Sequence, residues 1–411
     1  MRHPKTKTFE DKMAQSEEKI MKAYKNLSKA ELETLQKELQ AKYDTIKASG
    51  ISLDMSRGKP GADQLDLSAP MLDVLNSASD FKSSKGIDVR NYGELDGIPG
   101  IGGNTPWCKQ DKIKFLCPVP GYDRHFAITE SFGIEMINIP LNEDGPDMDL
   151  VEEYVNNDPA VKGIWNVPKY TNPSGVVYSD EVVRRFANLK PAAPDFRIFW
   201  DNAYAIHHLY PDHKAEILNI VTECEKAGNP DIYYELCSTS KVTFPGSGVA
   251  ALITSPANAA EIKKSMTIQT IGHDKLNQLR HVRFFKDAQG VYAHMDKHAA
   301  ILRPKFEAVI ETLESELGGL EIGTWIKPLG GYFIAFDTIE GCAKRVVALC
   351  KEAGVAMTPA GSTYPYKKDP KDTSIRIAPS YPTPDDLKKA CEVFVLCVKL
   401  ASVEKYLETA K

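Results

Sequence analysis

The sequence has 411 residues, enough for two or three domains or for one large domain with a smaller one. A hydrophobic content of 42% and a charged content of 26% are ordinary for a globular protein, and a net charge of -5 gives no electrostatic attraction to nucleic acid or an anionic membrane. The basic start, residues 1–5, is not followed by an apolar segment, and no run is long enough to span a bilayer. We therefore expect a cytoplasmic protein that binds neither nucleic acid nor membrane.

The cysteines show no pattern of a disulfide framework or a zinc site. No two of the eight form a Cys-x-x-Cys pair, and several lie in apolar patterns where a free cysteine behaves as a small hydrophobic residue. We expect all of them to be reduced and structural, with no metal site: Cys108, Cys117, Cys224, Cys237, Cys342, Cys350, Cys391 and Cys397.

The first elements of the chain are predicted to be helical and peripheral. Ser28 and Glu31 have the spacing of a capping box, an apolar stripe runs from Leu32 to Ile46, and Gly50 ends the pattern. Because the stripe is too short for sustained heptads, we expect this helix to pack on a core. An extended connector at 54–61 and a loop at 91–97 follow.

From Lys112 onward, short apolar runs alternate with helical patterns or long connections. This alternation predicts an α/β protein with a mostly parallel sheet covered by helices on both faces. The predicted strands are Ile113–Cys117, Met136–Ile139, Gly163–Val167, Ile198–Asp201, Tyr233–Cys237 and Val249–Ile253.

After about residue 255 the pattern changes to long helices and short strands, which predicts a smaller α+β domain. The strongest helical periodicity is at Ala299–Leu317, and Thr383 followed by Pro384 predicts the start of the last helix. We expect residues 1–60 to join this small domain, residues 61–300 to form the large domain and residues 301–411 to complete the small one. The predicted small-domain strands are Glu321–Ile326, Tyr332–Phe336, Val355–Thr358 and Ser374–Ile377.

The segment Arg197–Tyr204 places an acid at the carboxyl end of a strand and a tyrosine three residues later. In such sheets ligands bind at the carboxyl ends of strands, where Asp201 would be poorly solvated and would need a partner to stay charged. One such partner is a protonated ring nitrogen of a cofactor. The alternative is structural, with Asp201 capping a loop or pairing with a lysine.

Lys241 follows three small residues at the end of another predicted strand. Desolvation there would lower the pKa of its amine and make it a nucleophile, although a lone Ser-x-x-Lys is more often a surface loop. The same motif occurs in penicillin-recognising hydrolases, but their Ser-Asp-Asn and Lys-Thr-Gly partners are absent from this sequence.

Two further candidates are Asn172 and Arg376. Asn172 lies in a polar Asn-Pro-Ser-Gly turn after a strand, a motif that is also ordinary turn chemistry. Arg376 lies inside a short apolar strand, where an inward guanidinium needs an anion such as a substrate carboxylate.

Taken together in the order Asn172, Asp201, Tyr204, Lys241 and Arg376, this constellation resembles the fold-type I pyridoxal-phosphate aminotransferases. The local sequence is similar to one branch, the subgroup Ic aspartate aminotransferases, from about residue 50 to the C-terminus. Four segments carry that similarity: Ser56-Arg57-Gly58-Lys59-Pro60, Asn91-Tyr92-Gly93, Cys117-Pro118-Val119-Pro120-Gly121-Tyr122-Asp123-Arg124-His125-Phe126 and Asn277-Gln278-Leu279-Arg280-His281-Val282-Arg283-Phe284-Phe285.

The resemblance implies pyridoxal 5'-phosphate as cofactor and a role for each residue around its ring. Lys241 would hold the cofactor as a Schiff base and move a proton between it and the substrate α-carbon. Asp201 would keep the pyridine nitrogen protonated, which makes the ring an electron sink. Asn172 and Tyr204 would hydrogen-bond the phenolic oxygen, and Tyr122 would stack on the ring.

The resemblance also implies roles at the cofactor phosphate and at the substrate. Ser238 and Ser240 would offer hydroxyls to the phosphate, and Tyr92 would reach a phosphate across the interface of a homodimer. Arg376 would clamp the substrate α-carboxylate, and Gly58 would lie in the substrate site.

Two features depart from the family pattern. Many relatives carry a phosphate-binding arginine eight residues after the lysine, where this chain has Val249; subgroup Ic lacks it as well, which leaves the phosphate short of charge. The family also places two helices and a strand in roughly 40–50 residues before the strand at Ile113, and only Ile98 to Lys112 stand there. We favour a stretch missing from the recorded sequence over a true deletion, which would predict poor cofactor retention and little activity.

The activity implied is ping-pong amino transfer from L-aspartate to 2-oxoglutarate, so that the partners are small amino acids and 2-oxo acids. The cation for the distal carboxylate stays open among Arg280, Arg283, Arg57 and Lys59. Alternatives on the same scaffold are an aromatic or aminoadipate aminotransferase and a β-eliminating lyase. A non-catalytic protein that kept the fold is the alternative from another class.

Overall fold

The computed structural model describes residues 22–84, 86, 88–90 and 112–409. Tyr92, the predicted loop at 91–97 and the short stretch 98–111 lie outside the described residues. The helices among the described residues are α1 Lys29–Ala48, α2 Ala62–Asp66, α3 Asp123–Ser131, α4 Met148–Asn157, α5 Asp180–Ala187, α6 Ile220–Lys226, α7 Pro256–Gln269, α8 Lys275–Phe285, α9 Ala288–Leu317, α10 Ala343–Glu352 and α11 Pro384–Thr409. Short 3₁₀ helices occupy Tyr24–Asn26, Ala69–Leu72, Pro245–Ser247 and Pro365–Lys367.

A seven-stranded sheet forms the centre of the molecule, with the strand order β4-β3-β2-β5-β6-β7-β8. Its four inner pairings, from β3 to β7, are parallel, and the edge strands β4 and β8 are antiparallel to their neighbours. Buried strands read as nearly continuous apolar runs because both faces are covered, which is why the sequence predicted them. The strands are β2 Lys114–Val119, β3 Glu135–Asn142, β4 Gly145–Pro146, β5 Val161–Asn166, β6 Arg197–Asp201, β7 Tyr233–Ser238 and β8 Ala250–Ile253.

The strand order reverses direction at β2, which lies between β3 and β5. In an open α/β sheet, such a reversal leaves a crevice outside the carboxyl ends of the strands. The loops that follow β2, β5, β6 and β7 therefore face one region, and all the predicted large-domain site residues that are described lie on these loops or at the strand ends.

The C-terminal part contains a three-stranded antiparallel sheet of order β12-β10-β9, and β1 pairs in parallel with β11. The four predicted strands of this part are confirmed, with the observed ends shorter or shifted by a few residues. Their bounds are β1 Leu53–Asp54, β9 Gly323–Trp325, β10 Ile334–Thr338, β11 Val355–Ala356 and β12 Ser374–Ile377.

The N-terminal helix α1 has the predicted capping box, since the Ser28 hydroxyl accepts from the Glu31 amide and the Glu31 carboxylate accepts from the Ser28 amide. Its buried side chains, Leu32, Leu39 and Tyr43, share one apolar cluster with α11. The Tyr43 hydroxyl also donates to the Leu349 carbonyl at 3.0 Å. We propose, on this packing, that the first and last parts of the chain form one small domain with the boundaries predicted above.

Helix α9 is longer than the predicted segment, since it begins at Ala288 after the Asp287 cap and continues through Pro304. The seven described cysteines are free, and six of them are buried. Among the described residues, no helix combines the length and the apolar content required to cross a membrane.

Candidate active site

Lys241 lies just beyond β7, with its amine held against aromatic rings. The Nζ atom is 4.7 Å from the centroid of the Tyr204 ring and 5.8 Å from that of Tyr332. Removal from water lowers the pKa of Lys241, and the charge of Arg376 acts in the same direction, whereas Tyr122 and Asp201 raise the pKa. A larger fraction of this amine is therefore unprotonated than for an exposed lysine, as a nucleophile or base requires.

Asp201 ends β6 and accepts a hydrogen bond from a histidine. The Nε2 atom of His125 lies 2.9 Å from Oδ2 of Asp201. The His125 ring is buried and stacks on Trp165 at 4.4 Å between centroids, with the planes 10° apart. This partner orients the carboxylate and leaves its other oxygen for a second donor.

His125 was given no role by the sequence analysis, although it lies in one of the segments that carry the family resemblance. It follows Tyr122 by three residues, in the first turn of α3, and the two rings meet edge to face at 5.0 Å. Only the pairing of β2 with β5 and of β5 with β6 brings α3 beside Asp201. The one available signal was a histidine in the helix that begins at a strand end.

Tyr204 and Tyr122, which are predicted to contact the cofactor ring, keep their phenolic protons. Burial, followed by the charge of Asp201, raises the pKa of the fully buried Tyr204, and burial raises that of Tyr122. Each therefore presents a neutral hydroxyl that can donate to an oxyanion.

Ser238 ends β7, and Ser240 lies in the turn between β7 and Lys241. Their hydroxyl oxygens are 2.8 Å apart, and the Ser240 amide donates to the Ser238 hydroxyl at 3.0 Å. The neighbouring Gly248 is required by space, since a Cβ there would lie 2.5 Å from the Ser240 hydroxyl. The predicted pair of hydroxyls is therefore clustered as an anion would need.

Arg376 projects from the three-stranded sheet to the residues after β2 and β5. Its Nη1 atom donates to Oδ1 of Asp123 at 2.8 Å and to Oδ1 of Asn172 at 3.3 Å. The guanidinium carbon lies 4.7 Å from the ring centroid of Phe333. Gly58 packs on the same ring, because a Cβ at this position would lie 2.2 Å from it. The structure thus brings Arg376, Asn172 and Gly58 together, and Asp123 demonstrates that this guanidinium can hold a carboxylate.

The four candidate cations for a distal carboxylate occupy different settings. Arg57 is exposed, and the Lys59 amine lies 3.7 Å from the centroid of the Tyr381 ring. Arg283 donates to the Asp80 carbonyl. The Nε atom of Arg280 is buried and has no hydrogen-bond partner among the described residues.

A buried polar network contacts the backbone of Lys241, and the sequence did not predict it. The Tyr332 hydroxyl donates to the Lys241 carbonyl at 3.3 Å and accepts from the Gln64 amide at 3.0 Å. The Gln64 amide also reaches Nδ1 of His298 at 2.9 Å, and His298 contacts His294, whose Nε2 lies 2.9 Å from the Val242 carbonyl. Its members come from distant segments, so no local pattern predicts it.

Two buried histidines, His298 of this network and His207, make stability depend on pH. Loss of water lowers the pKa of His207 to about 3 and that of His298 to about 4. The unfolded chain takes up these protons near pH 6.5, whereas the folded chain does not, so the free energy of unfolding falls as the pH drops from about 6.5 toward 3–4. We expect a loss of about 2 kcal/mol for each histidine between neutral pH and about pH 5.

Urea denaturation at neutral pH and near pH 5 measures this effect. The His298→Gln variant should lose its share of the pH dependence, and variation of the exposed His213 to Gln should not. An equal pH dependence in all three proteins would contradict the assignment.

Comparison with known proteins identifies the family to which the chain belongs. The family model described as aspartate amino-transferase matches residues 27–102 and 100–410. The aspartate aminotransferase of Corynebacterium glutamicum is 44% identical over 408 residues, which cover 90% of this chain and 94% of that protein.

The solved structures give the same result for the fold. A crystal structure of an aspartate transaminase from Corynebacterium glutamicum superposes with a TM-score of 0.89 at 42% identity, and the match covers 93% of this chain and 99% of that one. The α-aminoadipate aminotransferase of Thermus thermophilus shares the fold at 17% identity, with a TM-score of 0.67 and coverage of 86% and 93%. The predicted α/β architecture of fold type I is confirmed.

Proposed function

Because the chain belongs to the aspartate amino-transferase family and is a transaminase, we propose that it moves the amino group of L-aspartate to 2-oxoglutarate by a ping-pong mechanism. The observation that carries this proposal is the juxtaposition of an amine of lowered pKa, Lys241, with a guanidinium that already holds a carboxylate, Arg376. A 2-amino acid presents the two groups that such a pair would recognise.

We propose pyridoxal 5'-phosphate as the cofactor, and the donor set of the site fits its ring. The Thermus relative was solved as a complex with a phosphopyridoxyl-leucine adduct. Lys241 would hold the cofactor covalently, Asp201 would pair with the pyridine nitrogen, and Asn172 and Tyr204 would donate to the phenolic oxygen. When bound, the cofactor withdraws electrons from the substrate α-carbon and so makes its proton removable.

The residues of the chain would then bind the substrate and move this proton. Arg376 would take the α-carboxylate in place of Asp123, because a guanidinium binds a carboxylate through two parallel hydrogen bonds. The unprotonated amine of Lys241 would accept the proton from the substrate α-carbon and later return it. Phe333, stacked under Arg376 and packed on Gly58, would keep water from this ion pair.

We keep Arg280, Arg283, Arg57 and Lys59 as the candidates for the distal carboxylate of aspartate. Arg280 is supported by its buried Nε atom, which has no protein acceptor among the described residues. A buried N–H group without an acceptor costs free energy, and an anion bound to Arg280 would supply that acceptor.

We propose a homodimer, in which Tyr92 of one chain reaches the cofactor phosphate of the other. Helices α7 and α8 and the turn between them expose apolar side chains, among them Ile268 at 81%, Ile271 at 70% and Val282 at 62%. Exposed apolar groups of this kind are typical of protein interfaces, and a second copy would cover them. The cytoplasmic location stays a prediction.

Fewer of the described residues are available to bind the cofactor phosphate than to bind the cofactor ring. Ser238 and Ser240 supply two hydroxyls, and Val249 stands where many relatives carry arginine. The family model matches in two parts, which overlap at residues 100–102 inside the short stretch 98–112. We propose that the two helices and the strand that the family places before Ile113 belong at this position, and that the second of these helices binds the cofactor phosphate. Peptide mass mapping of the natural protein across 92–125 would reveal extra residues there.

A test of the function combines absorbance with product analysis. Full-length protein incubated with pyridoxal phosphate should gain a visible absorbance band, and L-aspartate should shift this band while oxaloacetate forms. L-Tyrosine and L-2-aminoadipate are tested as alternative amino donors. If either shifts the absorbance band as much as L-aspartate or more, that amino acid is the substrate instead of aspartate. Release of ammonia and pyruvate would indicate a lyase, and binding without any product would indicate a non-catalytic protein.

A further inference from the structure

A histidine outside the set discussed so far, His281 on α8, contacts the loop that carries Lys241 on both sides of the lysine. Its Nε2 atom lies 3.1 Å from the hydroxyl of Thr239 and 2.9 Å from that of Thr243. The two threonines stand two residues before and two residues after Lys241. The histidine is buried, and Thr243 is completely so.

The second ring nitrogen of His281 determines which atoms donate. Its Nδ1 atom is 2.8 Å from the Asn277 carbonyl, and because a carbonyl only accepts, Nδ1 must carry the proton. In the neutral ring Nε2 is then an acceptor for both hydroxyls. The Thr243 hydroxyl has a second acceptor in the Thr239 carbonyl, but that carbonyl lies at 3.3 Å and Nε2 is nearer, at 2.9 Å. Thr239 is free to donate to Nε2, since its oxygen accepts from the Val249 amide at 2.8 Å.

The same helix face holds the far end of the loop. The Asn277 side-chain amide donates to the Ser247 carbonyl at 2.7 Å, one turn before His281. Helix α8 is therefore bonded to the loop at Thr239, Thr243 and Ser247, and Lys241 is confined between the first two.

We propose that His281 is a positioning residue for Lys241, which sets the backbone of residues 239–243 so that the lysine amine stays against the Tyr204 ring and away from water. This inference rests on the proposed role of Lys241 in amino transfer. Its physical basis is that Nε2 of His281 accepts hydrogen bonds from the hydroxyls of Thr239 and Thr243. These bonds hold the backbone on both sides of the lysine. Loss of that acceptor would loosen the loop and admit water to the amine.

The first measurement is the pKa of the Lys241 amine in the full-length chain, treated with hydroxylamine and dialysed so that the amine is free. Acetylation of Lys241 as a function of pH, read by peptide mass spectrometry, gives this pKa without any catalysis. In the His281→Leu variant, which keeps the volume but removes the acceptor, we expect the pKa to rise by about one unit, with about tenfold slower acetylation at a fixed pH below it. The ionisable groups around the amine are unchanged in sequence in this variant: Tyr122, Tyr204, Tyr332, Asp201, Arg376 and His207.

The matched variants separate positioning from simple destabilisation. His281→Gln offers an amide oxygen to the threonines and should restore most of the parent pKa, while the exposed His213→Leu should leave it unchanged. Thr243→Val removes one donor at constant shape and should shift the pKa in the same direction as His281→Leu, so it serves as the test if that variant fails to fold.

In the cofactor-loaded protein, His281→Leu should lower kcat about 10- to 100-fold with a smaller change in KM, because a misplaced base reduces the rate more than binding. A Lys241 pKa within about 0.2 units of the parent in both His281→Leu and Thr243→Val would overturn the inference. If the Lys241 pKa shifts in the variants but neither the parent nor any variant forms oxaloacetate, the proposed function fails while the positioning role stands. If transfer proceeds normally in both variants, the positioning role fails alone.

Discussion

The Lys241→Met variant is expected to lose about 10⁴-fold in the rate of amino transfer while it stays folded. Methionine keeps the length and apolar stem of the lysine but has no amine, so covalent attachment of the cofactor and proton removal from the substrate both fail. The pKa of the amine is already lowered by burial, so the neutral side chain adds no desolvation cost to the folded state. Single-turnover absorbance with L-aspartate measures the rate of amino transfer, and thermal unfolding shows whether the variant is folded.

Lys162 supplies the control for this experiment. It is also buried, but it lies at the amino end of β5, away from the site, and its amine bonds Asp195 at 2.6 Å. Lys162→Met should lower stability and leave the rate constant of transfer close to that of the parent. A Lys241→Met protein that retains more than about a tenth of the activity would remove Lys241 from the mechanism.

The Arg376→Lys variant is expected to reduce kcat/KM for dicarboxylic substrates by about 100-fold, with most of the change in KM. A lysine keeps the charge but loses the planar pair of donors and the stacking on Phe333 at 4.7 Å. Initial rates over a range of aspartate concentrations separate the two constants. A change confined to kcat would mean that Arg376 does not bind the substrate.

Asp123→Asn is the companion change and should act in the opposite direction. The Asp123 carboxylate occupies Nη1 of Arg376 at 2.8 Å, so an incoming α-carboxylate has to displace it. Because the Asp123 side chain is 43% exposed, the ion pair is weak, and we expect KM for aspartate to fall only about threefold. An increase in KM would show that Asp123 assists binding rather than competing with it.

The inner strands β2, β5 and β6 could be predicted from the sequence because they are buried on both faces. Runs such as Ile198–Trp200 are continuously apolar and end at a polar residue, so both the element and its carboxyl end are visible. The edge strand β4 has only two residues, Gly145 and Pro146, and was not predicted. The start of α9 was missed because Gly290, in its first turn, lowers the intrinsic helical propensity there, and burial of the apolar face overrides this effect.

The site could be predicted only where a residue type is unusual for its local pattern. An acid at a strand end, a lysine after three small residues and an arginine within an apolar strand all required explanation, and the structure brings Asp201, Lys241 and Arg376 together. His125 and His281 look ordinary in their helices, and their importance depends on atoms from strands far away in the chain. Contacts of this kind follow from the tertiary fold and leave no local trace.

The pairing of the two ends of the chain has a consequence for biosynthesis. Helix α1 and strand β1 are made before their partners α10, α11 and β11. Leu53 pairs with Val355, the Tyr43 hydroxyl reaches Leu349 in α10, and the buried face of α1 shares an apolar cluster with α11. During synthesis the apolar face of α1 therefore lacks these packing partners until α11 has left the ribosome. Such long-range closure is slow and exposes surface that chaperones bind. Nascent chains that stop before α11 should thus remain bound to chaperones even when the central sheet has already folded.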